Sequence, residues 1–439
     1  MIFEIKRSPK NPLRAGPVFF FLLLASAGCA PYPMAGGEAV EADRFAEIKS
    51  GIALLRRLNF EHEVVVEVQG REAMRRHFEG TLEREYGDQK LRNMALAYAR
   101  IGLYPEGLDL KNALLDFYGA QVAAFYDAAG KKLVMPEDLA TSVGSSADAP
   151  VELKTMMGDM VLAHELTHAL QDQHFSLQDR LRPSNDDDAR LAFHAVAEGD
   201  ATLAGFGYLF RGTDDQFLTL MGQTVQDSMR AARSGLTGVP DAIVEELLFQ
   251  YYGGVSFVSR LLRAKGWSGV NLLYGAPPLS TEQVLHPEKF FDLPDPPTTI
   301  ELKGISELFG SDWAEIENNV LGELMVRVLF RRFLSEEEAK RIAGGWDGDR
   351  FIAFRRENEI AFVWATVWDS PQEAEEFLLG YRAILEKKYP GTQLPAAHGY
   401  VERRDHSVIV VEGLERSRVE ERIEKVWRDI ELKEKPFSN

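Results

Sequence analysis

The sequence predicts an α+β protein, and two contrasting rhythms carry that prediction. From about residue 46 to 275, apolar residues recur at helical spacing, interrupted by one β-branched run and one hairpin-like segment. Later, two pairs of alternating strands are separated by a helix and followed by another. The first rhythm describes a mainly helical domain with a small sheet and hairpin, residues 46–300, and the second a smaller α+β domain, residues 301–439. At 439 residues, 45% hydrophobic and 27% charged, the chain has room for two or three domains and enough apolar content to fold.

The N-terminus is of another kind. Lys6, Arg7, Lys10 and Arg14 precede the apolar run PVFFFLLLA (Pro17 to Ala25), and the small residues Ser26, Ala27 and Gly28 lead to Cys29. Residues 1–28 therefore read as a secretory signal, with an apolar run too short for a mature membrane span. The ending resembles the lipobox of bacterial lipoproteins, with Ser26 where leucine is commonest; Cys29, the chain's one cysteine, is then the lipidated residue. A disulfide within the chain is excluded. Residues 29–45, rich in Pro, Gly and Ala, read as a tether. The signal carries four basic groups and one acid, so removing its net +3 from the chain's −18 leaves −21. Such a surface repels nucleic acid and anionic lipid, leaving acyl chains on Cys29 as the expected membrane attachment, at the periplasmic or extracellular face of the cell envelope.

The elements follow in order. EVVVEVQ (Glu63 to Gln69) is a strand, and helical spacing resumes through Tyr86 and from Gln89 to Ile101. GAQVAAFYDAAGKKLVMPED (Gly119 to Asp138) reads as a β-hairpin turning at Asp127 to Lys131, with Gly130 taking the positive φ. Val151 to His174 contains no proline and repeats apolar residues at helical spacing. A second helix begins after an N-cap at Ser184 or Asn185, and helices dominate to about 275. The six prolines between Gly275 and Thr299 predict a surface wrap, with a capping box at Ser280 and Gln283 for a short helix ending near His286. Beyond it come an acidic helical stretch (Trp313 to Leu334), the strand pair FIAFRRE and EIAFVWATVW, a helix (Pro371 to Lys388), strands at Tyr400 to Arg404 and Ser407 to Glu412, and a final helix (Ser417 to Leu432). That pattern predicts a small open sheet with helices on one face, its tryptophans Trp346, Trp364 and Trp368 serving as core.

Chemistry concentrates in HELTHALQDQH (His164 to His174). Residues four apart on a helix differ by about 40° and about 6 Å in height, so His164 and His168 present their imidazoles to one ion. Glu165, about 100° away, suits a general base better than a ligand. Zn²⁺ is the cofactor this pattern implies, and it needs a third ligand. His174 lies at the metzincin spacing, but Gln171 stands where that pattern needs a helix-breaking glycine; on a continuous helix His174 falls about 120° off the metal face and roughly 9 Å along the axis. Glu198, in AVAEGDA on the second helix, sits in an apolar neighbourhood that a free carboxylate should avoid, and is the favoured ligand.

HELTH with a later glutamate on a second helix resembles the gluzincin clan of thermolysin-like zinc metallopeptidases, in which a hairpin edge before the motif helix receives the peptide. AFYDAAGKKLVM, HELTHALQDQHF, AEGDATLA, STEQVLHPEKF and GGWDGDRFIAF together resemble a group of bacterial gluzincin-like lipoproteins, over residues 115 to 380. The resemblance implies a zincin-like domain at 46–300, His164, His168 and Glu198 as metal ligands and Glu165 as catalytic base. Thr202 stands where the clan has the partner acid of its ligand glutamate, which leaves Asp200 as a substitute for orienting an imidazole. For the oxyanion, His286 is the candidate catalytic residue, with Tyr251 and Tyr252 as alternatives. The expectation is a lipid-anchored zinc metallopeptidase acting on peptide or protein; its rival is a non-catalytic metal-binding envelope scaffold, which would have no use for Glu165.

Overall fold

The structure, a computed structural model, describes residues 38–121, 124–137, 151–180, 185–236, 238–390 and 399–433. The signal segment and Cys29 lie outside the described residues. The fold is α+β. Helix α1 (Glu38–Arg56) already occupies the end of the segment expected to be a tether. Its Ile48 and Ile52 are buried in the main core, which ties this helix to the body of the protein.

Strand β1 (Val65–Gln69) is followed by α2 (Arg71–Glu85), α3 (Gly87–Ile101), α4 (Leu110–Gln121) and the hairpin β2 (Phe125–Asp127) and β3 (Lys132–Pro136). These strands form one sheet in the order β1-β3-β2, with β1 parallel and β2 antiparallel to β3. The hairpin turn differs from expectation at one residue. Positive φ falls on Lys131 (53°), while Gly130 is needed for space, since a Cβ there would stand 2.5 Å from an Asp127 carboxylate oxygen. That carboxylate accepts from the Ala129 and Gly130 amides and sets the turn.

The helical body comprises α5 (Val151–Phe175), α6 (Asp187–Leu209), α7 (Asp215–Gly235) and α8 (Asp241–Leu273). The N-cap of α6 is Asp186, whose carboxylate accepts from the Ala189 amide. Two glycines set how closely the helices pass. A Cβ on Gly199 of α6 would stand 2.2 Å from the Gly254 carbonyl carbon of α8, and one on Gly205 would stand 2.9 Å from the Met160 carbonyl oxygen of α5. Helix α6 is thereby pressed against both neighbours.

The proline-rich segment lies at the surface over most of its length, but not at its centre. Its short helix α9 (Thr281–Leu285) is inserted into the body: Ser280, Thr281, Glu282 and Gln283 are all buried, and Thr281 donates to Asp188 at the start of α6. The Ser280 hydroxyl caps the Gln283 amide as expected, but Gln283 answers to Leu279 rather than to the cap residue.

After β4 (Thr299–Leu302), the stretch expected to be helical opens as strand β5 (Ala314–Asn319) and becomes helix only at α10 (Gly322–Arg331). Then follow α11 (Glu336–Ala343), β6 (Trp346–Arg356), β7 (Glu359–Trp368), α12 (Pro371–Lys388), β8 (Gly399–Arg404) and β9 (Ser407–Glu412). The chain's last expected helix is split into α13 (Arg416–Glu420) and α14 (Ile423–Asp429), and its end is β10 (Ile430–Lys433), paired antiparallel with β4.

The large sheet runs β5-β6-β7-β9-β8, all antiparallel. Both of its faces are covered, not one. Phe362 and Trp364 of β7 belong to the main core under α12, where Phe377 packs on Trp364 and Trp368 at ring separations of 5.2 and 4.7 Å. Ala361, Val363 and Ala365 turn the other way to a second core with Phe309, Trp313, Val419 and Ile423. Trp346, Trp364 and Trp368 are fully buried core residues. The main core is continuous across residue 300, joining α5, α6 and α8 to α10, α12 and the sheet.

Candidate metal centre

Helices α5 and α6 cross where Gly205 admits the His164 backbone, and this places both motif histidines against Glu198. The His164 and His168 Nε2 atoms are 3.0 Å apart. One Glu198 oxygen lies 3.2 Å from His164 Nε2 and the other 3.4 Å from His168 Nε2. Three donors arranged tetrahedrally around zinc at about 2.0–2.1 Å stand about 3.3 Å apart, so the set has the right dimensions.

The donor chemistry fits as well. His168 Nδ1 is 2.8 Å from Gln171 Oε1, while the Gln171 amide nitrogen donates to the Ala197 carbonyl (3.0 Å) and to Asp200 (3.1 Å). Gln171 Oε1 is thus an acceptor, His168 Nδ1 carries a proton, and Nε2 is left to offer its lone pair inward. Glu198 Oε2 is buried with no hydrogen-bond partner among the described residues. Burial opposes a charge on His168, but the Glu198 carboxylate outweighs it and pushes the His168 pKa up to about 9. Glu198 is in turn held well below the usual carboxylate range: burial opposes this, and His168 overcomes it. Without a cation, a proton fills the positive role.

Gln171 was absent from the sequence candidates. It holds the ring of His168 and is itself fixed by Asp200, whose Oδ2 also accepts from Arg56 (2.8 Å) and Tyr274 (2.7 Å). Arg56, Gln171 and Asp200 are all fully buried. Asp200 therefore supports an imidazole at one remove, through Gln171. The signal for this lay in a polar residue at i+3 from His168, on the same helix face. Thr202 is buried, and its hydroxyl has no partner among the described residues.

Glu165 is 4% exposed, and its Oε2 accepts from the Tyr126 amide of β2 at 2.8 Å. Burial raises its pKa, against the pull of the two histidines. The hairpin is clamped to α5 at a second point, where Asp172 accepts from the Tyr126 hydroxyl (2.9 Å) and Lys131 (2.6 Å). Because β2 is the sheet's edge on this side, Tyr126 turns its backbone amide toward the motif helix.

The remaining candidates separate clearly. Helix α5 continues through His174, whose Nε2 lies 2.8 Å from the Asn59 carbonyl and whose other nitrogen faces Glu61, so it takes no part in the cluster. His286 is not brought to the cluster either. Its Nε2 lies 3.0 Å from Glu323, because α9 is docked at the start of α6, about three turns from Glu198. Tyr252 donates to Glu245 and is likewise outside. Tyr251 is inside: its hydroxyl is hydrogen-bonded to Glu198, and burial followed by that carboxylate's charge raises its pKa. The close passage of Gly199 and Gly254 brings α8 near enough for this contact.

Residues 308–423 match a family model described as a domain of unknown function, DUF8575. The match covers the large sheet and α12, not the histidine cluster. No curated protein matches the chain. A solved structure from Chloroflexus aurantiacus, described as a candidate hydrolase with a novel fold, aligns with 58% of this chain and 90% of its own at 18% identity and a TM-score of 0.37.

Proposed function

We propose that the chain is a zinc-dependent peptide hydrolase of gluzincin type, exported and held at the cell envelope by lipid on Cys29. The convergence of His164, His168 and Glu198, with Glu165 buried beside them, supports this reading. Zinc bound there supplies Lewis acidity to a scissile carbonyl and lowers the pKa of water. Glu165 takes the proton of the attacking water and returns it to the leaving amine; its raised pKa suits that task, and the Tyr126 amide fixes one oxygen while leaving the other for transfer. Tyr251, in place of His286, offers a hydroxyl to the developing oxyanion. An extended peptide running alongside β2, the sheet's edge strand, would lie across the cluster, displacing Glu165 from the Tyr126 amide if it pairs there. Among the described residues no helix is long and apolar enough to cross a membrane.

The test is zinc analysis of the purified protein beside a peptide-cleavage screen, comparing wild type with Glu165→Gln, Glu198→Ala and His174→Ala. Cleavage lost with zinc retained in Glu165→Gln, zinc lost in Glu198→Ala and both retained in His174→Ala is the expected pattern. Zinc in both wild type and Glu165→Gln with cleavage by neither would establish a scaffold instead.

A further inference from the structure

Two polar atoms at the crossing of α5 and α6 have no hydrogen-bond partner among the described residues: His164 Nδ1 and the Thr202 hydroxyl. Both residues are 1% exposed, so bulk solvent does not serve them. The state of the hydroxyl is unusual for its place. Thr81, Thr167, Thr219 and Thr224, each within a helix, donate to the carbonyl four residues back at 2.8 to 3.1 Å. Thr202, well inside α6, makes no such bond.

The helix crossing shows which group it faces. Glu198, one turn before Thr202, meets the tip of the His164 ring, 3.2 Å from Nε2, and Gly205, one turn after it, meets the root, where a Cβ would lie 3.4 Å from His164 Cβ. Positions 198, 202 and 205 share one face of a helix, so Thr202 stands between the two contacts, at the level of the ring. Nothing else there can serve. Ala201 and Ala204 offer only methyls, and Asp200 is turned to Gln171, Arg56 and Tyr274.

An imidazole whose Nε2 gives its lone pair to a cation carries its proton on Nδ1, and that N–H is then a buried donor in need of an acceptor. A hydroxyl oxygen is one. We propose that Thr202 is the positioning residue of His164: its Oγ1 accepts a hydrogen bond from Nδ1–H, directly or through one bridging water, and so fixes the ring for zinc. The inference deepens the zinc reading of the site and rests on it. It gives each histidine a neutral acceptor, Gln171 for His168 and Thr202 for His164.

Zinc competition with a chromophoric chelator, beside urea unfolding of each full chain in excess chelator, tests it. Thr202→Val keeps the shape and removes the hydroxyl. Zinc affinity should fall about tenfold or more, while the metal-free chain should be as stable as wild type or more so, because the group removed is a buried hydroxyl without a partner. Thr202→Ser, which keeps the oxygen, should retain most of the affinity. If Thr202→Val fails to fold, Thr202→Ser against Thr202→Ala makes the same comparison of hydroxyl with none. Unchanged affinity without the hydroxyl, an equal fall in Thr202→Ser, or a metal-free Thr202→Val clearly less stable than wild type would overturn the proposal. A wild-type chain that binds no zinc ends this proposal and the zinc reading together. One that binds zinc with this dependence on the hydroxyl and cleaves nothing counts against the hydrolase reading alone. One that binds and cleaves equally well without the hydroxyl counts against Thr202 alone.

Discussion

Glu412, at the end of β9, and Glu198, in the middle of α6, are both glutamates drawn out of water, and their surroundings are opposite. Glu412 accepts from the hydroxyls of Tyr381 and Tyr389 and from Lys388, whose Nζ lies 2.8 and 2.9 Å from its two oxygens. Every partner is a donor, and the ion pair closes on itself. Glu198 instead faces two ring nitrogens, at 3.2 and 3.4 Å from its two oxygens, and among the described residues its Oε2 accepts no hydrogen bond. Burial is common to both and distinguishes neither. What marks the second as a site is an excess of acceptors that only a cation or a proton can balance.

The largest effect tests the chemical side of that contrast. Glu165→Gln should lower peptide cleavage by about 10²–10⁴-fold at unchanged zinc content, since it removes a proton acceptor and no ligand. Next in size is a pair that tests the balance of donors and acceptors. Glu412→Gln leaves the largely buried Lys388 ammonium with only the Arg100 and Ile101 carbonyls and no counter-charge, and should cost about 3–5 kcal/mol in urea unfolding. Glu198→Gln, measured in chelator, should cost less than that, because His168 can give up its proton once the carboxylate is gone and the amide can then donate to a bare ring nitrogen. Equal losses in the two variants would mean that Glu198 is a structural acid after all.

The contrast was half legible in the sequence. HExxH on a proline-free helix located His164, Glu165 and His168, and the alanines around Glu198 betrayed a carboxylate with a purpose. His286 misled because its type suited the chemistry while its position depended on where α9 docks, and docking is set by Thr281 meeting Asp188 across 93 residues. Gln171 was read for its helix propensity, and its side-chain role emerged only with Asp200 and Arg56 behind it. In the C-terminal half, β7, α12 and β9 were plain from alternation and capping. Strand β5 was hidden by its acids, because AEIENN is an edge strand held by pairing with β6. Strand β10 was hidden in a helical rhythm overridden by its partner β4.

Gln171→Leu sharpens the comparison on the histidine side. It leaves His168 Nδ1 without its acceptor and frees the ring to turn, so zinc affinity should fall about 10–100-fold, read by competition with a chromophoric chelator. Cleavage at saturating zinc should change far less. An unaltered affinity would show that the helices alone orient the ring, and that the chain from Arg56 through Asp200 serves stability only.

The last effect concerns Glu246, an acid of α8. Burial, and then the charge of Asp187, raise its pKa to about 7, against the opposing pull of Arg190; Tyr98 of α3 and Tyr104, just after that helix, line one cavity with it and are without charge. A carboxyl raised above its unfolded value of about 4.3 stabilises the fold fully below that value, and the contribution is lost as pH rises through about 7. Wild type should therefore lose on the order of 3 kcal/mol from this group between pH 4.5 and 7.5, and Glu246→Gln should lose correspondingly less. Melting curves at the two pH values read the difference, and an equal loss in wild type and Glu246→Gln would mean that another group carries the titration.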